Sequence, residues 1–361
     1  MNRVPLVLLT GFLGAGKTSI LNTLLATPEF RDTAVVINEA GDVGLDHLLV
    51  EQGSDSITMM EGGCLCCRAK GALAPALASL MRRSREQSLP PFKRVVVETS
   101  GLSDPAPLLE GLIADAFFNR FFELTGVVTA VDARAFRATL DQYPEARMQV
   151  ALADRLLVTK TDLITSGETQ KVQEALASLN PHTRQQLVQP GTATMSAFWP
   201  DILDLPRALA KPHMICSPER TAIATASLTF EGAIEPDALE GWLDHTINLL
   251  GPMLLRMKAM LNIADVTRPT VLHAVQGLLH RPIDLERWPN DDRKNRVVLI
   301  GRDVEEQILV DALARLSAIA RAPIPKFASY WATSDTNFGI KEALVPSTRQ
   351  GADLGQRRAD D

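Results

Sequence analysis

A short apolar run at the start of the chain ends in the loop Gly11-Phe12-Leu13-Gly14-Ala15-Gly16-Lys17-Thr18, and no other feature restricts the fold as strongly. Glycines at this spacing let successive backbone N–H groups turn inward on an anion. A helix starting directly after the loop points the positive end of its dipole at the same place. The lysine and hydroxyl that close the motif supply a cation for the β- and γ-phosphates and a ligand for Mg2+. Lys17 and Thr18 are therefore candidate catalytic residues, together with Glu98 further along the chain. Gly11, Gly14, Ala15, Gly16, Lys17, Thr18 and Ser19 are the candidate phosphate-binding set. The competing explanation, a glycine turn ahead of a core helix, is weakened by the strand–loop–helix context.

Around this loop the first 200 residues alternate apolar strand-like runs with amphipathic stretches. Strands are expected at Leu6–Thr10, Ala34–Asn38, Arg94–Val97, Gly126–Val131 and Asp154–Thr159, and helices at Lys17–Ala26, Leu73–Arg83 and Glu168–Leu179. Continuously apolar strands imply a parallel sheet covered on both faces, with right-handed crossovers. Four prolines between 200 and 220 mark 201–220 as a linker. A smaller α+β unit is expected over 221–320, built from a strand near Ala222–Phe230 and a helix opened by Glu235-Pro236-Asp237. Strands at Leu254–Ile263, Val271–Leu279 and Val297–Ile300 follow, then a helix over Val304–Ala318. The polar tail 344–361 is expected to be disordered.

Two segments fall where a nucleotide site on such a sheet needs them. Glu98-Thr99-Ser100-Gly101 follows an apolar strand, so Glu98 emerges at the sheet's C-terminal edge near Mg2+, and Gly101 lets a backbone N–H approach the γ-phosphate. Thr159-Lys160-Thr161-Asp162 follows another strand. Asp162 is placed to accept hydrogen bonds from guanine N1–H and N2–H2, which adenine does not offer, and the Lys160 stem to lie along the base.

The third cluster is Gly62-Gly63-Cys64-Leu65-Cys66-Cys67, holding three of the four cysteines; the fourth is Cys216. Cysteines so crowded are no disulfide framework. Three soft thiolates suit Zn2+, Co2+ or Cu+, and the glycine pair gives the turn they need to converge. A fourth ligand is sought in Asn38–Gly44, where Glu39 is the leading candidate beside Asp42, with His47 close by. Buried structural cysteines and a redox pair are the alternatives.

The net charge of −6 argues against a nucleic-acid partner. No apolar run reaches the length of a membrane span, and Val4–Leu9 is too short for a signal sequence, so a cytoplasmic location is expected.

Taken together, Gly11–Thr18, Asn38-Glu39, Cys64-Leu65-Cys66-Cys67, Glu98–Gly101, Val131-Asp132 and Lys160-x-Asp162 resemble the CobW branch of the CobW/HypB/UreG-type metallochaperone GTPases. Arg281–Leu285 and Gly301-Arg302-Asp303 resemble that family's C-terminal domain. The resemblance implies a P-loop NTPase fold, a doubly wound, mostly parallel α/β sheet followed by a smaller α+β domain. It implies Mg-GTP at Gly14–Ser19, guanine read by Lys160 and Asp162, and Zn2+ or Co2+ on Cys64, Cys66 and Cys67, with transfer to an apo client protein. A monomer or a nucleotide- or metal-dependent dimer is expected. The chain departs from the family at Thr159, where Asn is usual, at Ala40 (Phe) and at Asp42 (Glu), and it lacks a histidine-rich tract. A small-molecule kinase and a nucleotide-gated metal sensor without catalytic role are the other readings of the same loop.

Overall fold

The computed structural model describes residues 3–37, 57–59, 73–181, 183–200, 213–215, 223–280, 282–288 and 293–320. The first unit is a parallel sheet of β1 (Val4–Gly11), β2 (Thr33–Ile37), β3 (Ile57–Met59), β4 (Arg94–Glu98), β5 (Phe122–Asp132), β6 (Arg155–Thr159) and β7 (Arg184–Val188). Their order is β3-β2-β4-β1-β5-β6-β7, with every neighbouring pair parallel. The strand carrying the glycine loop thus lies at the centre.

Helices α1 (Lys17–Leu25), α2 (Leu73–Arg85), α3 (Pro105–Ala114), α4 (Ala116–Phe121), α5 (Phe136–Gln142), α6 (Pro144–Ala151), α7 (Ser166–Leu179) and α8 (Met195–Phe198) accompany the strands. Alternate residues of β1 separate two cores. Leu6 and Leu8 face Leu77 and Leu80 of α2 and Leu109 of α3, whereas Val7 and Leu9 face Ile20, Leu21 and Leu24 of α1 and Phe198 of α8. Burial on both faces is what the unbroken apolar strands require. The expected doubly wound sheet is therefore observed. Side chains fix several helix starts: Asp104 accepts from Ala106 N at 2.9 Å, Asp115 from Phe118 N at 2.8 Å, and Thr165 and Glu168 form a reciprocal capping box on α7.

The second unit is an antiparallel sheet of β8 (His213–Ile215), β9 (Ile223–Phe230), β10 (Leu254–Leu261), β11 (Thr270–Val275), β12 (Leu278–Leu279) and β14 (Asn295–Arg302), in the order β12-β11-β10-β14-β9-β8, with β13 (Ile283–Asp284) also on β11. Helices α9 (Pro236–Leu250) and α10 (Glu306–Ile319) cover one face through Leu239, Trp242, Leu243, Leu309, Leu313 and Leu316. From the other face Leu255, Val275, Val298 and Ile300 join the core of the first unit beside Met148 and Leu152.

Four details differ from the sequence reading. The run Val271–Leu279 is a hairpin, broken at Gln276 and Gly277, whose φ angles are +53° and +75°. Arg184–Val188 adds an edge strand, and within the stretch read as a linker His213–Ile215 pairs with β9. Asp154 precedes β6 and serves a buried ion cluster instead. Residues 201–212, 216–222 and 344–361 lie outside the described residues.

Candidate functional site at the edge of the parallel sheet

Gly11 ends β1, and the loop after it winds through glycines with φ of +138° (Gly11), +70° (Gly14) and +91° (Gly16). Side chains rarely adopt these angles, so glycine is needed where the backbone curls around an anion. Ala15 N donates to Phe12 O at 3.1 Å and closes the turn. Gly16 is the N-cap of α1 and supplies no side chain to its first N–H groups, which suits a helix start that takes a phosphate. Lys17 is buried, its ammonium donating to Gly11 O at 2.8 Å and Phe12 O at 3.4 Å. Thr18 is half-buried and Ser19 exposed, one and two residues into α1.

The strand register lines up the other candidates along this edge. Leu9 pairs with Glu98, Glu98 with Ile37, and Ile37 with Met59. On the opposite side Gly11 pairs with Ala130, and Asp132 with Thr159. Glu98 is 3% exposed, a carboxylate at a strand end beside the glycine loop. A hard dication such as Mg2+ takes oxygen donors, and the Thr18 hydroxyl and Glu98 carboxylate fit that demand.

The loop after Glu98 is held from several directions. Thr99 N donates to Leu9 O, and the Thr99 hydroxyl to the Thr10 hydroxyl, both at 2.9 Å. Gly101 stands so close to the phosphate loop that a Cβ there would lie 2.7 Å from Leu13 N and 2.9 Å from Leu13 Cα. Burial raises the carboxyl of Asp104, which ends the loop, above its ordinary value, against the lowering by Ala106 N–H and by Arg302.

On the other flank the loop after β6 is fastened to the phosphate loop. The Thr159 hydroxyl lies 2.8 Å from Ala15 O and 3.1 Å from Val131 O, so its proton serves carbonyls of two different elements. Lys160 has φ +57° and its ammonium bonds Asp132 Oδ2 at 2.7 Å. The other Asp132 oxygen accepts from Arg134 N at 2.9 Å. Asp162 is exposed in the turn Thr161–Leu163, open to a ligand. In the sequence Asp132 shows as an acid closing an apolar strand and as part of the Val131-Asp132 pair; that Lys160, 28 residues on, is its partner is set by the register.

Glu39, Asp42, His47, Cys64, Cys66 and Cys67 lie outside the described residues. The strands leading to them are adjacent and parallel. Ile37, two residues before Glu39, is paired with Met59, five residues before Cys64.

A central glycine loop, a buried acid on the next strand and a turn after β6 tied to that loop define a phosphate-loop nucleotide-binding protein carrying a second, antiparallel domain. The model of the CobW/HypB/UreG nucleotide-binding domain matches residues 5–186, and that of the cobalamin synthesis protein cobW C-terminal domain matches residues 223–317. The chain belongs to the CobW family. It is 29% identical over 321 residues to a zinc chaperone, YjiA, of Escherichia coli, covering 88% of this chain and 99% of that protein. It is 26% identical over 350 residues to the zinc chaperone CobW of Pseudomonas aeruginosa, covering 86% and 91%. A zinc-regulated GTPase metalloprotein activator of Schizosaccharomyces pombe is 34% identical over 187 residues, 50% of this chain and 44% of that one. The crystal structure of Zn(II)-bound YjiA GTPase from E. coli superposes with a TM-score of 0.63 at 24% identity, over 87% of this chain and 99% of that one, and shows the same fold.

Proposed function

We propose that this chain is a GTP-hydrolysing metallochaperone that couples its nucleotide state to the binding and release of Zn2+ for an apo client protein, in the cytoplasm. The observation that carries the reading is the row Leu9–Glu98–Ile37–Met59 across four neighbouring strands. Three strand spacings of roughly 4.8 Å put the strand entering the phosphate loop about 14 Å from the strand that leads to the cysteines. The strand leading to Glu39 lies between. This adjacency supports a nucleotide site and a cargo site that share one edge.

Within this reading Gly14–Ser19 cradle the phosphates with backbone N–H groups, and Lys17 offsets charge on the β- and γ-phosphates. Thr18 and Glu98 would hold Mg2+, which would supply positive charge to offset that on the transferred phosphoryl group. Water adds to the γ-phosphorus as the β–γ bridging bond breaks, giving GDP and inorganic phosphate. Asp162 accepts from guanine N1–H and N2–H2, while the pairing of Lys160 with Asp132 steadies the turn. Zn2+ is cargo, taken as thiolate complex by Cys64, Cys66 and Cys67 with Glu39 as the fourth donor. Loss of the γ-phosphate relaxes the loops at the shared edge and opens that cage.

The relatives named zinc chaperones and zinc-regulated GTPase activators support the choice of Zn2+ and GTP. The test is the double variant Cys66→Ala, Cys67→Ala. It is expected to lose tight Zn2+ binding while still binding GTP and hydrolysing it without a phosphoryl acceptor. Unchanged zinc affinity removes the cysteine cage, and hydrolysis that needs an acceptor points to a kinase instead.

A further inference from the structure

The loop between Glu98 and α3 is braced from beneath by one side chain. Gln149, 1% exposed in α6, directs its amide nitrogen at two carbonyls of that loop, Gly101 O at 3.1 Å and Ser103 O at 3.0 Å. The backbone carbonyl of Gln149 accepts the Thr129 hydroxyl at 2.7 Å, and Thr129 pairs in register with Thr10, next to the glycine loop. The brace is therefore referenced to the central strand that carries the phosphate site.

From this geometry we infer that Gln149 is a positioning residue for GTP hydrolysis, orienting the peptide groups of the loop that lies against the glycine loop. The C=O and N–H of a trans peptide point in opposite directions. Holding Gly101 O and Ser103 O against Gln149 turns the N–H groups of Leu102 and Asp104 away from α6. Thr99 is already pinned to β1, and Asp104 caps α3. Gln149 thus fixes the middle of a segment whose two ends are fixed by other means, and this segment touches the Leu13 backbone through Gly101. A triphosphate reaching the loop meets peptide groups already oriented, whereas a diphosphate does not depend on them. Interactions set in place before the reaction lower its barrier without a reorganisation cost at the moment of transfer. The far end of α6 is held as well: Leu152 O, one residue past it, accepts from Arg256 of β10 at 2.7 Å.

The inference rests on the proposed GTPase reading, and the experiment separates the two. Affinities of the full chain for GDP and for a slowly hydrolysed GTP analogue are measured with single-turnover GTP hydrolysis, in the wild type, Gln149→Met and Gln149→Asn. Methionine keeps the length without a donor; asparagine keeps the donor but is one methylene short, and serves if the methionine variant does not fold. Both are expected to lower analogue affinity relative to GDP about tenfold and the hydrolysis rate at least as much, the size of two ordinary hydrogen bonds. GDP affinity stays within about twofold. An unchanged analogue-to-GDP ratio and rate, or equal losses for both nucleotides, overturns the positioning role and leaves Gln149 a packing residue. A wild type that does not hydrolyse GTP refutes the proposed function, while the affinity ratio still decides on Gln149.

Discussion

Thr159 is 6% exposed, and its one hydroxyl proton lies between Ala15 O of the phosphate loop and Val131 O of β5. The side chain is engaged with both carbonyls, so under the proposed function recognition of the base would fall on the next residues. Lys160 is steadied by Asp132, and Asp162 alone presents an exposed carboxylate on this turn. Hydrogen bonds to a charged acceptor are worth about 1.5–3 kcal/mol. Asp162→Ala is therefore expected to weaken GTP binding about 10- to 100-fold and to leave ATP binding unchanged, read by fluorescent-nucleotide titration. Equal losses for the two nucleotides would place guanine recognition elsewhere. The departure from asparagine at this position was visible in the sequence; that the hydroxyl ties two loops together was not, because its acceptors lie 144 and 28 residues away.

Among the elements, the loop 99–104 is confined by contacts that leave no room for a methyl group at Gly101. The backbone of Leu13 stands in the way and cannot swing aside as a side chain would. Gly101→Ala is expected to push the loop off the glycine loop and to lower single-turnover GTP hydrolysis at least tenfold. Its melting temperature falls by only a few degrees, as for a strain of about 1–2 kcal/mol. Hydrolysis at the wild-type rate would show that the contact is incidental. The central strands and α1 were legible because each is an apolar run bounded by polar residues, and the phosphate loop because its chemistry demands a fixed spacing. β7 was not, since Arg-Gln-Gln-Leu-Val at a sheet edge has no apolar run to notice. Nor was α6, for the opposite reason. Ala146, Met148, Gln149, Val150 and Ala151 are all buried, with Met148 and Val150 in separate cores, so the helix has no polar face and no periodicity. The brace at Gln149 was hidden with it. The hairpin at Gln276-Gly277 escaped because Asn or Asp, not Gln, is the usual residue at such a positive φ.

At the scale of the whole molecule the two domains meet over a buried ion cluster. Arg256 of β10 holds both Asp154 oxygens, at 2.6 and 2.5 Å, Lys258 reaches the same carboxylate, and Val127 N donates to it at 2.7 Å. Burial alone pushes the Asp154 carboxyl up, but Arg256 and Lys258 more than offset this and hold it down to about 2. Such a depressed carboxylate stabilises the fold fully above its ordinary value of 3.8, and the contribution is lost as pH falls from there toward 2. His280 gives way earlier. Burial, with Arg256 and Arg3 adding to it against Asp154, lowers it from 6.5 to about 4, so its neutral form is favoured in the fold. That stability is complete above pH 6.5 and declines as pH falls toward 4. Thermal unfolding is accordingly expected to show a melting temperature that drops as pH is lowered below 6.5. Asp154→Asn should cost about 3–5 kcal/mol at neutral pH by leaving two buried cations short of their partner. A flat profile between pH 6.5 and 4, or a fully stable Asp154→Asn, would mean that this cluster does not hold the domains together. The same domain contact backs the helix that braces the nucleotide loop, and the opposite end of the sheet edge leads to the cysteines. The central claim is that these sites act as one. Zn2+ affinity measured by competition titration of the full chain with no nucleotide, with GDP and with a slowly hydrolysed GTP analogue tests it directly. Coupling free energies are typically 1–3 kcal/mol, so zinc should bind about 5- to 150-fold more tightly with the analogue, and zinc should tighten the analogue by the same factor. The same zinc affinity in all three states would contradict the account.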